Sequence, residues 1–363
     1  ITIDSNNSDV ALMVHTSGTT GTRKIVMLTD TALIENMITY RNLMGFRGRD
    51  VVYCALPLHH IYCICAQILS HISTGDTFIL SNSPFFIKDF LRIVETQKVS
   101  VCAFVPYIAK LLSKYLKSKE YKLKSMKVIT ISGSKMPEDL YNKLKQQYSH
   151  INFVNTYGMS EAGSRICVAA PIGEDFPAAS VGRPIPGVSL RITGANGKTL
   201  PLNAIGEVEV KSSGIMKGYY NQPELTGQTK RNGWLKTGDL GRLDEEGNLF
   251  LVGRKKDIII CGGENIYPVE IEQLLLEHHG VEEASVVGVS NQRLQEMPYA
   301  FIVASSNVSL KTHDLIGYCR KRLSSFKVPM HFHLLDKLPR SGPSKIDKNK
   351  LKQIAESSMQ VPS

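Results

Sequence analysis

The 363-residue chain has 42% hydrophobic and 21% charged residues, a balance typical of a folded protein with a large core. This excludes disorder as the main state, and about 150 residues per domain predicts two or more folding units. No apolar stretch reaches the roughly 18 residues that span a bilayer, so we expect no integral membrane segment. The net charge of +10 leaves anionic cofactors open, but the basic run Lys110–Lys127 has too few interleaved aromatic residues to predict nucleic-acid binding.

The cysteines and the first residues indicate a cellular compartment. Seven cysteines lie in apolar contexts without metal-ligand spacing, which predicts reduced, buried thiols and no zinc site. The stretch Ile1–Asp9 is polar and acidic, unlike a secretory signal. Both features favour a cytoplasmic protein.

Up to about residue 165, short apolar runs alternate with amphipathic segments. The apolar runs predict strands within Val51–Leu56, Asp76–Leu80, Val99–Phe104 and Lys127–Ser132. The amphipathic segments predict helices at Lys88–Gln97 and Glu138–Gln147. The alternation predicts an α/β fold with helices on the faces of a sheet and functional loops at the strand ends.

The remainder of the chain changes character twice. From Val181 to Gly253, short strands and turns predict a small β subdomain, with a hairpin at Asn196-Gly197 because both residues tolerate positive φ. After a boundary near Arg254–Asp257 we expect a strand at Asp257–Ile260 and a helix from Pro268 to Gly280. The predicted parts are therefore residues 1–180, 181–254 and 255–363.

The strongest local signal is the loop Thr16-Ser17-Gly18-Thr19-Thr20-Gly21-Thr22-Arg23-Lys24, which follows an apolar run. Small residues leave backbone N–H groups free to face phosphate oxygens, and Lys24 adds a cation. The loop is not of the Walker type, because Thr22 and Arg23 separate Gly21 from Lys24. It predicts a phosphate site, with a plain Gly/Thr turn as the alternative.

A series of motifs follows this loop in a fixed order. They are Ala55-Leu56-Pro57-Leu58-His59-His60, Ser132-Gly133-Ser134, Asn155-Thr156-Tyr157-Gly158-Met159-Ser160-Glu161, Trp234-Leu235-Lys236-Thr237-Gly238-Asp239-Leu240, Gly253-Arg254-Lys255-Lys256-Asp257, Gly262-Gly263-Glu264-Asn265-Ile266-Tyr267-Pro268 and Leu338-Pro339-Arg340 through Lys345. The series resembles the acyl-adenylate-forming superfamily of acyl-CoA synthetases, carrier-loading adenylation domains and luciferases. The resemblance runs from Thr16 to Lys350.

The resemblance implies an ATP-dependent carboxylic acid:CoA ligase that uses Mg²⁺ and coenzyme A, in the manner of enzymes of fatty acid metabolism. It implies a large domain of mixed sheets with flanking helices and a small β-barrel-like subdomain, followed by a small mobile α+β lid domain. The large domain would be incomplete at its N-terminus, because the family has a substantial segment before the Thr/Gly loop. That segment would come from the same protein or from another chain.

Residue roles also follow from the resemblance. Lys345 is the expected catalytic lysine of adenylation, Lys256 the hinge of the lid, and Glu161 with Thr16 the magnesium ligands. Tyr157 would stack on adenine, Asp239 would accept from the ribose hydroxyls, and Arg254 would add a donor. The full nucleotide-binding set is Thr16, Ser17, Gly18, Thr19, Thr20, Gly21, Lys24, Ser132, Gly133, Ser134, Asn155, Thr156, Tyr157, Gly158, Ser160, Asp239 and Arg254. The acid and CoA would meet His60, Gly262, Gly263 and Glu264, the two glycines giving a bare backbone strip for the pantetheine arm.

Three residues depart from the family pattern: Arg23 and Ile25 in the phosphate loop, and Ser344 before the lysine. If the position of Ile25 required positive φ, the loop would have to be remodelled, because β-branched residues avoid that region. Two alternatives to the CoA ligase therefore stay open. One is a stand-alone adenylating enzyme that loads a carrier protein, and the other is a nucleotide-binding relative without turnover.

Overall fold

The structure, a computed structural model, describes residues 9–16, 24–81, 85–115, 123–133, 136–305, 308, 310–340 and 346–360. The described residues form two compact units. The first contains the chain up to Thr237 together with Gly241–Leu251, and the second contains Gly238–Leu240 and the chain from Val252 onward.

The strands in chain order are β1 (Val10–Thr16), β2 (Lys24–Thr29), β3 (Val51–Cys54), β4 (Thr77–Leu80), β5 (Val101–Phe104), β6 (Val128–Ile131), β7 (Asn152–Tyr157), β8 (Cys167–Val168), β9 (Arg183–Pro184), β10 (Ser189–Thr193), β11 (Gly206–Lys211), β12 (Gly218–Tyr219), β13 (Lys230–Arg231), β14 (Trp234–Leu243), β15 (Leu249–Arg254), β16 (Ile259–Cys261), β17 (Glu264–Ile266), β18 (Val281–Asn291), β19 (Gln295–Ala304) and β20 (His331–Leu334). The α-helices are α1 (Asp30–Leu43), α2 (Ser70–Ile72), α3 (Ile87–Gln97), α4 (Pro106–Tyr115), α5 (Glu138–Gln147), α6 (Pro223–Thr229), α7 (Pro268–Glu277), α8 (Thr312–Arg320) and α9 (Lys348–Gln360). A π-helix (Cys63–Leu69) runs into α2, and single 3₁₀ turns lie at Ser160–Ala162, Lys255–Asp257 and Ser325–Lys327.

The largest sheet has the strand order β4-β3-β5-β6-β7-β8-β9. Strands β3 to β7 are parallel, and β8 and β9 are antiparallel additions. Every residue of β5 and β6 is buried, as expected for parallel strands covered on both faces. The predicted strands and helices of this region are confirmed, and the carboxyl ends of β5, β6 and β7 lie at one edge of the sheet.

The first unit also contains a three-stranded sheet, β1-β2-β12, and most of a five-stranded sheet, β10-β11-β14-β13 with β15 on β14. The second unit has its own five-stranded sheet, β17-β16-β19-β18 with β20 on β19. Its core packs Ile271 and Leu275 of α7 and Leu315 of α8 against Val286 and Ala300 of the sheet. The expected fold class, α/β with mixed sheets followed by a smaller α+β part, is confirmed.

Three local predictions are corrected. At Asn196-Gly197 only Gly197 has positive φ; a three-residue loop closed by Gly194 N–H to Lys198 O replaces the expected two-residue turn. The strand expected at Asp257–Ile260 begins at Ile259, because Lys255–Asp257 form a 3₁₀ turn. Helix α7 ends at Glu277 and not near Gly280, since His278 already has extended backbone.

The predicted burial of the cysteines is confirmed: all seven are buried and unpaired. Within the described ranges, no helix combines the length and the apolar character that crossing a bilayer requires.

A buried histidine next to β4 makes the fold sensitive to pH. His71 is 0% exposed, its Nδ1 lies 2.7 Å from Asp76 Oδ2, and its ring packs on Phe46 at 4.3 Å. Burial lowers the pKa of His71 from its ordinary value of 6.5, more than the Asp76 carboxylate raises it. The folded state therefore holds the neutral ring, and Nε2 has no partner among the described residues.

Since the unfolded chain binds the proton more tightly, stability is fully present above about pH 6.5 and falls as the pH drops below it. We expect Tm to be lower at pH 5.5 than at pH 7.5, with His71 contributing up to about 1 kcal/mol per pH unit. Asp76 does not contribute in this window, because its lowered pKa lies below 3.8. His71→Gln should reduce the difference in Tm between the two pH values; an unchanged difference would assign it to other groups.

Candidate functional site

The first group of site residues in the first unit centres on Glu161. The residue is only 9% exposed, and its Oε1 accepts a hydrogen bond from the Tyr219 hydroxyl at 2.9 Å. The backbone is also fixed, because Glu161 O accepts from Met216 N–H at 2.8 Å. Oε2 has no partner among the residues that the structure describes. The arrangement holds one carboxylate oxygen in place and leaves the other for a ligand.

Thr16 and Lys24 are brought to the same place by the β1–β2 hairpin, in which they are opposite one another. Strand β12 pairs with β2 through Tyr219 and Val26, so that Lys24 Nζ lies 5.2 Å from the centre of the Tyr219 ring. Tyr219 thus contacts both the predicted phosphate-binding lysine and the predicted magnesium ligand. Thr16 is the last residue of β1 and Lys24 the first residue of β2, so the two flank the Thr/Gly loop in the chain.

Ile25, one of the departures from the family pattern, lies in the regular part of β2. It pairs with His15, and its carbonyl accepts from Tyr220 N–H at 2.9 Å. Its φ is not in the positive region. The branched side chain therefore imposes no backbone strain at this position.

A second group lies at the carboxyl ends of β6 and β7. Ser132 Oγ donates to Thr156 O at 3.0 Å, and Thr156 Oγ1 donates to Ile131 O at 3.4 Å. Asn155 Nδ2 donates to the carbonyls of Ala178 and Ser180, which ties β7 to the following segment. The polar side chains that we expected near the nucleotide thus also hold the strand ends together.

Gly158 and Gly133 allow the close approaches of backbone that shape this edge. A Cβ on Gly158 would lie 1.7 Å from Ser164 O, so no other residue fits there without displacing the loop. Gly133 has φ of +93°, which favours glycine. Tyr157 is buried in the apolar core of the first unit, and Ser160 begins the 3₁₀ turn that carries Glu161. The sequence Tyr157–Ser164 is therefore a tight loop with a fixed path.

His60 lies at the start of the segment that becomes the π-helix. Its Nδ1 accepts from Tyr62 N–H at 3.3 Å, and the residue itself is exposed. Two causes lower the pKa of His60. The larger is desolvation of the ring by the surrounding chain, and the smaller is the charge of His59. A neutral, solvent-accessible imidazole at neutral pH follows from this arrangement.

In the second unit, Asp239 and Arg254 form an ion pair, with Arg254 Nε 3.0 Å from Asp239 Oδ1. The structure therefore brings together the two residues that we expected at the ribose. Lys256 lies in the 3₁₀ turn that follows, with Nζ 3.9 Å from Asp257 Oδ1. Partial burial is the largest effect on Lys256 and lowers its pKa. The carboxylate of Asp257 raises the pKa, and the positive charges of Arg254 and Lys348 lower it further.

Gly262 and Gly263 form the two-residue turn of the β16–β17 hairpin, with φ of +59° and +88°. Positive φ at both positions is what a type I′ turn demands, which gives these glycines a structural reason in addition to the expected pantetheine path. Glu264 is exposed at the start of β17.

Several expected site residues lie outside the described residues. They are Ser17, Gly18, Thr19, Thr20, Gly21, Ser134 and Lys345, together with Arg23 and Ser344. One described residue that contacts the expected site residues was missed by sequence reasoning, Tyr219. Tyr219 is 58 residues from Glu161, and only its Gly-Tyr dipeptide next to a turn gave any local signal.

Comparison with known proteins covers nearly the whole chain. The AMP-binding enzyme family matches residues 2–220, and the AMP-binding enzyme C-terminal domain matches residues 270–345. The 2-succinylbenzoate–CoA ligase of Bacillus licheniformis is 34% identical over 343 residues, which cover 94% of this chain and 70% of the relative.

Two solved structures are similar in fold. ATP-bound MatB from Rhodopseudomonas palustris superposes with a TM-score of 0.91 at 30% identity, covering 99% of this chain and 71% of that one. A second structure is MenE, the O-succinylbenzoate coenzyme A synthetase of Bacillus subtilis, in complex with ATP and magnesium ion. It superposes with a TM-score of 0.84 at 32% identity, covering 94% of this chain and 69% of that one. The chain therefore belongs to the AMP-binding enzyme family, within the adenylate-forming superfamily that its motifs resemble.

Proposed function

We propose that the chain is an ATP-dependent carboxylic acid:CoA ligase. The acid carboxylate attacks the α-phosphorus of ATP, an oxygen–phosphorus bond forms, and the bond to pyrophosphate breaks. The thiolate of CoA then attacks the acyl carbonyl, and the bond to AMP breaks. The observation that carries the proposal is the fixed group of Glu161, Tyr219 and Lys24 beside the Thr/Gly loop.

The residues of this group fit a hard cation and phosphates. Mg²⁺ prefers oxygen ligands and is usually held by one or two carboxylates together with substrate phosphates. Glu161 offers the free Oε2, and Thr16 offers a hydroxyl at the end of β1. When bound there, Mg²⁺ would neutralise charge on the phosphates. Lys24 adds a positive charge, and we assign Lys345 to the negative charge that develops during attack on the α-phosphorus.

The remaining proposed roles concern binding of the nucleotide, of the acid and of CoA. Ser132, Thr156 and Gly158 would border the base, with the backbone of Tyr157 held between them. Asp239 and Arg254 would meet the ribose, their ion pair orienting the carboxylate. Lys256 would be the pivot of the small unit, and the Gly262–Gly263 turn with Glu264 would border the pantetheine arm. His60 would lie beside the acid and the thiol.

Among the possible substrates, the relatives favour a small acid. The Bacillus relatives are named for 2-succinylbenzoate and not for a fatty acid, so fatty acid metabolism is without support. Free CoA is the proposed acceptor because these relatives are CoA ligases. ATP and CoA as co-substrates favour the cytoplasm as the place of action.

The direct test is acid-dependent exchange of pyrophosphate into ATP by the whole protein, followed by thioester formation with free CoA. Exchange with thioester formation on CoA supports the ligase. Exchange with transfer only to a carrier protein would favour carrier loading. Nucleotide binding in calorimetry without any exchange would favour a binding protein, although the unstrained backbone of Ile25 removes one of the reasons for that alternative.

A further inference from the structure

Arg165 is a cation in the interior of the first unit. It is 1% exposed and is among the largest fully buried side chains. Its guanidinium lies between two aromatic rings, 4.7 Å from the centre of Tyr40 and 4.4 Å from that of Tyr62. Nη1 donates to Ser164 O at 3.2 Å and to Ser164 Oγ at 3.0 Å. The rings and Ser164 hold the side chain in a single orientation.

The other edge of the guanidinium makes no hydrogen bond to the described residues. Nε and Nη2 are buried and have no hydrogen-bond partner among the described residues. These two nitrogens lie side by side on one edge of the planar group, which is the edge that receives both oxygens of a carboxylate. A buried charge without an anion is costly, and two cation–π contacts offset only part of that cost.

Among the described residues, no neighbouring side chain supplies the missing negative charge. Burial raises the pKa of Tyr62, so that its hydroxyl stays protonated and bonds with Thr130 Oγ1 at 2.8 Å. Burial likewise raises the pKa of Cys65 to about 12, which keeps the nearby thiol neutral. No acidic side chain within the described ranges forms an ion pair with Arg165. A carboxylate is the anion that matches this edge, and none of the described residues supplies it.

The neighbours of Arg165 relate its free edge to the acid substrate. It ends the loop that carries Glu161, four residues earlier, and its neighbour Ser164 packs on Gly158. The ring of Tyr62 lies on its other side, two residues after His60, and its hydroxyl reaches Thr130 in β6. Through Ser164 and Tyr62 the guanidinium thus contacts the two segments that carry Glu161 and His60.

We propose that Arg165 binds a second carboxylate of the acid, so that the enzyme activates dicarboxylic acids in preference to matched monocarboxylic acids. The inference rests on the proposed function and specifies its substrate class. One carboxylate of the acid would react with ATP, and the other would receive both N–H groups of the free edge. A methyl group at the same place would leave those donors unpaired, which strongly disfavours the uncharged analogue.

The experiment measures kcat/KM for acid-dependent pyrophosphate exchange with pairs of acids that differ only in a terminal carboxylate or methyl group. We expect the wild-type protein to favour the dicarboxylic member of the best pair by on the order of 100-fold. Arg165→Met should abolish this preference by lowering activity on the dicarboxylic acid, with little change in KM for ATP. Arg165→Lys should restore only part of it, because the ammonium lacks the paired donors.

The matched control is Arg92→Met, which makes the same change at an exposed arginine of α3. It should keep the wild-type preference. If Arg165→Met fails to fold, the wild-type comparison remains decisive: equal or greater activity on the monocarboxylic acid overturns the inference. Unchanged preference in a folded Arg165→Met variant would assign the arginine a structural role only. Absence of exchange with every acid would instead overturn the proposed function.

Discussion

Replacing Glu161 with glutamine is expected to lower acid-dependent pyrophosphate exchange on the order of 100-fold or more and to raise the Mg²⁺ concentration needed for half-maximal rate. The amide fills the same space and can keep the contact with Tyr219, but it removes the negative charge that a divalent cation requires. Glu161 is 9% exposed and its carboxylate is held at Oε1 by Tyr219, so the substitution changes the charge of a side chain that is fixed in place. The measurement is the initial rate of exchange as a function of Mg²⁺ concentration.

Two further variants separate the effect of the Glu161 charge from the effect of the hydrogen bond that orients it. Tyr219→Phe removes only the hydroxyl that donates to Glu161, and we expect it to weaken the apparent Mg²⁺ affinity by about 10-fold, as loss of an orienting hydrogen bond does. Glu174→Gln changes an exposed carboxylate paired with Arg183 and should leave the Mg²⁺ dependence as in the wild type. An unaltered Mg²⁺ requirement in Glu161→Gln would remove this residue from the metal site.

The central sheet could be predicted from sequence because its strands are buried on both faces. A run such as Val101–Phe104 is apolar at every position. The helix Glu138–Gln147 differs from it, because its apolar residues recur with the period of a helix. Loop residues such as Glu161 could be placed because they follow a strand directly in the chain. In each case the information lies within a few residues of the feature that it predicts.

The partners of the site residues could not be predicted in this way. Tyr219 reaches Glu161 only because β12 pairs with β2, a register that no local pattern encodes. Arg165 looks in the sequence like an ordinary polar loop residue, and its burial between Tyr40 and Tyr62 depends on how α1 and the π-helix pack. Gly238–Leu240 belongs to the second unit although it lies within β14, which no composition shift indicates.

Gly158→Ala tests whether the path of the Tyr157–Ser164 loop is essential. A Cβ at this position would lie 1.7 Å from Ser164 O and 2.5 Å from Ser164 C, far inside the contact distance. The obstruction is backbone and not the end of a flexible side chain, so relief requires the loop to move. We expect a loss of stability of about 3 kcal/mol or more, at the upper end of what overpacking costs.

The same displacement should affect the chemistry, because Glu161 lies between the two contacting residues and Arg165 follows directly after Ser164. Exchange activity should fall by more than the loss of folded protein explains, even at a temperature where the variant is folded. Gly227→Ala is the matched control: this glycine lies in α6 with nothing within 4 Å of the added Cβ, and alanine should stabilise the helix by about 0.5 to 1 kcal/mol. Thermal unfolding and exchange are measured on both variants. Because the clash with Ser164 is a property of the loop itself, wild-type stability in Gly158→Ala would mean that the loop takes another path and that Glu161 and Arg165 are not held as described.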